Sequence, residues 1–567
     1  MITCVREILG MCLTLPPDKD GIALFTFPDF LTALALLALA FTAADPLYRF
    51  RIEVAPIPLK RTAFYASVVT GGGTLLSDLW FAERWPALPW GIRQAEIQVT
   101  LGSCFLLIIF VWIWFAFLKR PSFGRWNYRR FHSAILWRMI RGSDVELAAI
   151  ASEIVFVAND LIESTVLTRT RKRENGNDVG KPGIAEYAHD TLALLGHRKF
   201  CRVVVNSASD TALALMHAAI RQQKYSVPLG QFVQNITAEA ILNPDSPLYH
   251  ESRYSLMSVF SRMQPFSQSM YGNYKLVSGI GEVVSSPFDL DWEIFLSLSA
   301  KQWETYCSVV LVTFEAYLAQ GEAGTHSSIL YRAFEHIADA GMDIYKLNGS
   351  SGPIFDSSPQ AKISASASFA SNALAALEKL EDTSWIERRT PPPGEAGHYH
   401  DLTDWLADML YKIILHASAV EAPTDLAWSV HYNTVWSRIF RFSKSKNGAG
   451  IVLFKLRRRL YDEIRHMEDF PNFEGARILG ICLNVLGVNP ARIPSDRRRD
   501  DPLRQAVIAW TKRNYVALMR SNPRVAEACL IGSITYDSEG QRIVKTFVQG
   551  LRAEPPKSFL SLDMPIN

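Results

Sequence analysis

The sequence predicts a mainly α-helical protein: three N-terminal transmembrane helices, then a large α-helical cytosolic region with a minor C-terminal β-hairpin. Three observations lead there. Residues 97–118 form an apolar run without one charged side chain. Lys and Arg cluster at positions that fix how often the chain crosses a bilayer. Past residue 142, apolar residues recur at three- and four-residue spacing, with Pro and Gly between the runs.

Composition bounds the membrane part. The chain has 567 residues, 49% of them hydrophobic, and a mean hydropathy of +0.05. That is too low for a transporter whose spans fill most of the chain, so the membrane part is a minority and more than one folding unit is expected. A net charge of +3 is not that of a chain built to coat nucleic acid, which is not an expected partner. The seven cysteines are scattered with no CxxC pair or zinc spacing, which points to free thiols in a reducing compartment. No cofactor is expected.

The first 118 residues form the expected transmembrane region, with spans at about 22–44, 62–82 and 97–118. The last reaches about 33 Å as a helix, enough for a hydrocarbon core of about 30 Å. The first carries Asp29 near its start. A leader cleaved after Ala44 is the alternative, and the long tail with Glu7, Asp18 and Asp20 speaks against it. The second segment is weaker, with Gly71, Gly72 and Gly73 and the charged Asp78. Glycines there suit close helix contacts.

Topology supports three spans. Arg49, Arg51, Lys60 and Arg61 separate the first two segments, and Lys119, Arg120, Arg125, Arg129 and Arg130 follow the third. The positive-inside rule wants both clusters in the cytosol, which two spans cannot do and three can. The expected protein is therefore a multi-pass inner-membrane protein with its N-terminus outside and its bulk cytosolic. The outer loop, with Trp85, Pro86, Pro89 and Trp90, reads as an aromatic anchor more readily than as a ligand lid. Asp29 and Asp78 are the membrane carboxylates. At bilayer depth such a charge marks function; at the outer ends of the segments it reads as a hydrated interfacial group.

Residues 119–141 interleave arginines with Phe123, Trp126, Tyr128, Phe131 and Trp137. Basic heads with aromatic bodies suit the anionic inner leaflet, so Lys119, Arg120, Arg125, Arg129 and Arg130 are the expected lipid contacts. Stacking on single-stranded nucleic acid is the weaker reading.

Beyond residue 142 the pattern is helical. Ser143-Asp144-Val145-Glu146 is a capping box opening a helix with Leu147, Ile150, Ile154, Val157 and Leu161 on one face. It ends in a basic run at 169–173. Further helices are expected at about 184–195, 208–223, 229–242, 289–320, 325–346, 364–381, 401–420, 424–442, 450–467, 474–487, 502–520 and 523–530. Residues 202–205 read as a short strand, and 533–536 with 541–548 as a hairpin around Asp537-Ser538-Glu539-Gly540. A Ser/Gly/Ala-rich stretch at 349–368 and three prolines at 391–393 read as linkers or surface loops between a proximal lobe (142–350) and a distal one (398–567).

No catalytic motif stands out. Gly180-Lys181 lacks the upstream glycine of a phosphate loop, and Gly279-Ile280-Gly281 is isolated. The best cluster is His398, His400 and Asp404, a weak metal set, with Asp401 equally suited to a helix start. The arginine runs 457–459 and 497–499 sit beside acids and read as solvated faces. So large a helical region without a reaction centre favours binding over catalysis. The expectation is a membrane-anchored sensor, scaffold or effector that engages a protein or ligand partner or a second copy of itself. A role in bacterial stress or phage defence suits that organisation, by analogy of architecture alone. The alternatives are an oligomeric channel or transport subunit, with Asp78 and the glycines at helix contacts, and an enzyme with its site near His398 and His400.

Overall fold

The computed structural model describes residues 4–8, 11–14, 25–43, 45–85, 94–165, 182–251, 265–281, 286–320, 326–349, 358–381, 383–387, 401–442, 445–490, 501–547 and 554–563. Pro86, Pro89 and Trp90 of the expected aromatic loop, Ala44, the basic run 169–173, prolines 391–393, the arginines 497–499, His398 and His400 lie outside them. The protein is mainly helical, with a small three-stranded sheet near its C-terminal end. Two compact units divide it, Met1–Ile236 and Thr237–Asn567. The lobes expected from the sequence have other boundaries, 142–350 and 398–567.

The first unit opens with a hairpin of β1 (Cys4–Ile8) and β2 (Met11–Thr14). Three long helices follow, α1 (Phe27–Ala43), α3 (Leu59–Ala82) and α4 (Gln94–Ile113), the last continued by a wide π-helical turn, Trp114–Leu118. A short helix, α2 (Pro46–Val54), joins α1 to α3. Where three membrane helices were expected, only Gln94–Leu118 is long and apolar enough to cross a membrane among the described residues. The physical difference is plain. Helix α1 has 17 residues, and α3 carries Lys60, Arg61 and Asp78 with several Gly, Ser and Thr.

After α4 come α5 (Tyr128–Arg141), α6 (Asp144–Ser164), α7 (Ile184–Leu194), α8 (Arg198–Ser207) and α9 (Asp210–Arg221). The capping box at the start of α6 is formed: the Ser143 hydroxyl accepts from Glu146 N–H, and the Glu146 carboxylate accepts from Ser143 N–H. Its predicted apolar face is fully buried, and α6 is the central helix, touching α2, α5, α7, α8 and α9. Residues 202–205, expected as a strand, lie within α8. Val203, Val204 and Val205 favour strands in isolation, but here they pack as the buried side of a short amphipathic helix; tertiary burial outweighs the local preference.

Helix α10 (Gly230–Leu242) contains the division between the units. The second unit is built from α11 (Ala300–Ala319), α12 (Ser328–Asp339), α13 (Ser358–Glu378), α14 (Leu402–Ala417), α15 (Gly448–His466), α16 (Phe473–Leu486) and α17 (Asp501–Ser521). Helix α13 packs against α11, α14 and α15. Residues 358–368 read in sequence as part of a linker. Their Ser and Ala are instead small side chains at a close helix contact: Ala365, Ser366 and Ala367 are buried, and Ala is a strong helix former. The Arg438 guanidinium donates to Ser364 O and to the Ser364 and Ser368 hydroxyls at 3.0, 3.0 and 2.6 Å, holding that face. The expected hairpin is present as β3 (Ile534–Asp537) and β4 (Arg542–Thr546), and a third antiparallel strand, β5 (Lys557–Ser561), extends it.

Buried charge joins α14 to α15. The Lys455 ammonium lies 2.7 Å from Asp404 and 3.3 Å from Asp401 and donates to the Thr403 hydroxyl at 2.8 Å; its side chain is 2% exposed. One turn on, Arg459 meets Asp408 at 2.5 Å. Removing one partner from such a set strands an uncompensated charge at a cost of about 3–5 kcal/mol. Lys455→Met is expected to lose that much in urea unfolding, and Lys455→Met with Asp404→Leu to lose less than the single change.

A second buried group is linked to pH. His431 lies on a π-helical turn, Ser429–Trp436. Its Nε2–H donates to Ala417 O at 3.0 Å, and its Nδ1 accepts from the Asn484 amide at 2.9 Å. Burial pushes its pKa down to about 4. The unfolded ring takes up a proton near pH 6.5, whereas the folded one resists until about pH 4. Stability contributed by the neutral ring is therefore complete above pH 6.5 and falls as pH drops toward 4, by on the order of 3 kcal/mol. His431→Gln is expected to flatten the pH dependence of the unfolding midpoint across that window.

Candidate membrane interface

Helices α1, α3 and α4 pack α1 on α3 and α3 on α4, and their interior mixes polar side chains with the buried Phe30, Phe81, Phe105 and Trp112. Ser67, Thr70, Thr74 and Ser77 of α3 face inward at helical spacing, and Thr74 is wholly buried. Gln98 of α4 is 1% exposed. The outward faces carry Leu36 and Leu39 of α1, Phe64, Val68 and Val69 of α3, and Leu106, Leu107 and Phe110 of α4, all more than half exposed. The apolar stretch of α4 is only 17% buried, which is not the state of a soluble core helix.

Asp78 gathers the far end of this bundle. Its carboxylate accepts from Phe27 N–H at 3.1 Å and from the side-chain amides of Gln98 at 3.1 Å and Gln94 at 3.4 Å. One group thereby ties α1, α3 and α4. Asp29 acts locally, accepting from the N–H and hydroxyl of Thr26, at 2.9 and 2.7 Å, at the start of α1. The three glycines part company. Gly71 is covered by the Phe30 ring of α1, and Gly73 lies against Leu101 of α4, where an added Cβ would come within 3.0 Å. Gly72 faces open space.

The opposite end is basic and tightly joined. Arg51 of α2 forms a two-point pair with Glu153 of α6, at 2.7 and 2.9 Å, and Glu153 is 1% exposed. Asn127 donates to Val54 O, and Arg130 donates to Pro56 O and Trp126 O. Glu53 meets Lys60 at 2.5 Å and Arg138 at 2.7 Å. Burial pushes the Glu53 carboxyl up, but those two cations outweigh it and hold it below its usual range. The linker between α1 and α3 therefore sits at the same end as the chain that follows α4.

The expected lipid-contacting residues gather near this end. Lys119 lies 4.9 Å over the Phe115 ring, and Arg120 4.4 Å over Phe156. Arg125 and Arg129 are exposed, and Arg130 is half-buried. Arg51, Glu53, Gln94, Gln98, Arg138 and Glu153 were missed as site residues. The hydroxylated stripe 67, 70, 74, 77 along α3 was the readable signal for its inward face.

In the second unit, Asp404 is engaged by Lys455 and caps α14 together with Asp401. Among the described residues no three His, Cys, Asp or Glu side chains are placed to hold a metal. The sequence matches no family model, and comparison finds no similar curated protein and no similar solved structure.

The glycines give a sharp contrast. Gly71→Val must displace Phe30, itself buried against Phe105 at 5.2 Å between ring centroids. Overpacking of this kind costs about 1–3 kcal/mol. Gly71→Val is expected to lower the melting temperature of the detergent-solubilised protein, and Gly72→Val to leave it unchanged.

Proposed function

We propose that the chain is a multi-pass inner-membrane protein in which α1, α3 and α4 cross the bilayer. The N-terminus lies outside, and the helical remainder is a cytosolic binding body. The function that fits is a membrane-anchored sensor, scaffold or effector acting on a protein partner. The observation that supports crossing is the outward exposure of Leu, Val and Phe side chains on all three helices, with Ser, Thr and Gln98 turned inward beside Phe30 and Phe105. Large apolar side chains exposed along all three helices are what soluble monomers rarely show as a contiguous face. Hydrocarbon accommodates such faces, and Thr74, Gln98 and Asp78 find hydrogen-bond partners within the bundle.

Lengths agree. At about 1.5 Å per residue, α3 and the continuous α4 helix each exceed the ~30 Å of hydrocarbon, and α1, at roughly 25 Å, fits with modest local thinning. The placement of α2 beside α5 and α6 supports an odd number of crossings, with both basic clusters on one side.

Cys104 supplies a test, since it is exposed on α4. In a chain whose other six cysteines are changed to Ala, a membrane-impermeant maleimide is expected to leave Cys104 unlabelled in intact and in opened membranes and to label it once the protein is denatured in SDS. Ready labelling of Cys104 by the impermeant reagent in opened membranes would refute the crossing of α4.

A further inference from the structure

We propose that the pocket between α2 and α5 binds the phosphate headgroup of an anionic phospholipid in the leaflet facing the helical body. The inference rests on the reading of α1, α3 and α4 as membrane spans and gives that reading a specific lipid site. The pocket holds about 440 Å³ and is lined by Glu53, Arg129, Arg130, Ser133, Trp137 and Arg138. Three guanidinium groups thus face one carboxylate, and that carboxylate is already paired with Arg138 and Lys60.

Arg130 is the telling residue. Its Nη2 is held by Pro56 O and Trp126 O. Its Nη1 is shielded from solvent and meets no hydrogen-bond acceptor among the described residues. A donor on a cation without an acceptor is costly, and a phosphate in the pocket would meet the charge directly and the hydrogen bond once the guanidinium turns toward it. Arg129, exposed beside it, and the Ser133 hydroxyl one turn further along α5 are the accompanying donors.

The rest of α5 shows where the acyl chains lie. Its buried side is Phe131, Ile135 and Met139. Its outer side adds Leu136, Trp137 and Ile140 to the basic residues, with Trp137 53% and Ile140 71% exposed, and Trp126 just before the helix is 85% exposed. A helix with large apolar groups and arginines on one outer face lies in the plane of an anionic interface. Arg130 donates to the backbone shortly before α3 begins, so the pocket opens at the depth where headgroups would be.

The test uses the full-length chain purified in detergent and exchanged with phosphatidylglycerol or phosphatidylcholine, with retained lipid read by native mass spectrometry. Phosphatidylglycerol is expected to be retained at least tenfold more than phosphatidylcholine. Ser133 is exposed, so Ser133→Glu sets a negative charge in the pocket without entering the core; it is expected to abolish that preference. Arg130→Gln is expected to lower it about tenfold, and Arg221→Gln, a change in α9 outside the pocket lining, to leave it intact. Equal retention of the two lipids, or a preference unchanged in both Ser133→Glu and Arg130→Gln, overturns the proposal. So does displacement of the lipid by an equal concentration of glycerol 3-phosphate, which would make the site one for a soluble phosphate ester. Resistance of the wild-type chain to alkaline carbonate extraction is measured in parallel. Release there counts against the spans, whereas loss of lipid preference in a chain that resists extraction counts against the pocket alone.

Discussion

The structure of the first unit depends on where Asp78 places its charge. A carboxylate near the end of an apolar helix is tolerable only with donors around it. Here a backbone N–H from α1 and two side-chain amides from α4 supply them. The same contacts fix the register of three helices whose remaining interface sets small and hydroxylated side chains of α3 against Phe30 of α1 and Leu101 of α4. Ser67, Thr70, Thr74 and Ser77 let α3 approach its neighbours closely, and Thr74 returns its hydroxyl proton to Gly71 O at 2.8 Å. Helices packed through small residues and internal hydrogen bonds, with apolar faces turned outward, suit a solvent that offers no hydrogen bonds of its own.

At the other end the logic changes from polar satisfaction to charge pairing. The two-point pair of Arg51 with Glu153 anchors α2 to α6, the central helix of the unit, and α2 is the link between α1 and α3. That is the connection a membrane-anchored sensor or effector needs on the proposed reading. The paired charges also sort the basic residues into two sets. Arg51 and Arg138 are spent inside the unit, whereas Arg125 and Arg129 face outward and Arg130 stands between.

Much of the helical pattern was legible in the sequence because it rests on local rules. The Ser143 to Glu146 box, the 147–161 stripe and the Asp537 to Gly540 turn follow from spacing, and each is present. The failures share a cause in tertiary packing. The valines of α8 form helix because one side is buried on α6. Residues 358–368 look like a linker because close helix contacts need the same small side chains that flexible segments use. The role of Asp78 stays open in the sequence because its amide partners, Gln94 and Gln98, are unremarkable there. The pocket beside Arg130 needs two backbone carbonyls from before α3 and before α5, and no motif announces that. The His398 and His400 cluster rests on residue type alone, and its third member, Asp404, is held by a lysine about fifty positions away.

The most direct measurement is the side of the membrane on which two positions lie. A reporter active only in the cytosol and one active only outside are each fused after Glu83 and after Arg141. The account predicts outside activity at Glu83 and cytosolic activity at Arg141. The same side for both positions, or full-length protein recovered in the soluble fraction, would contradict it.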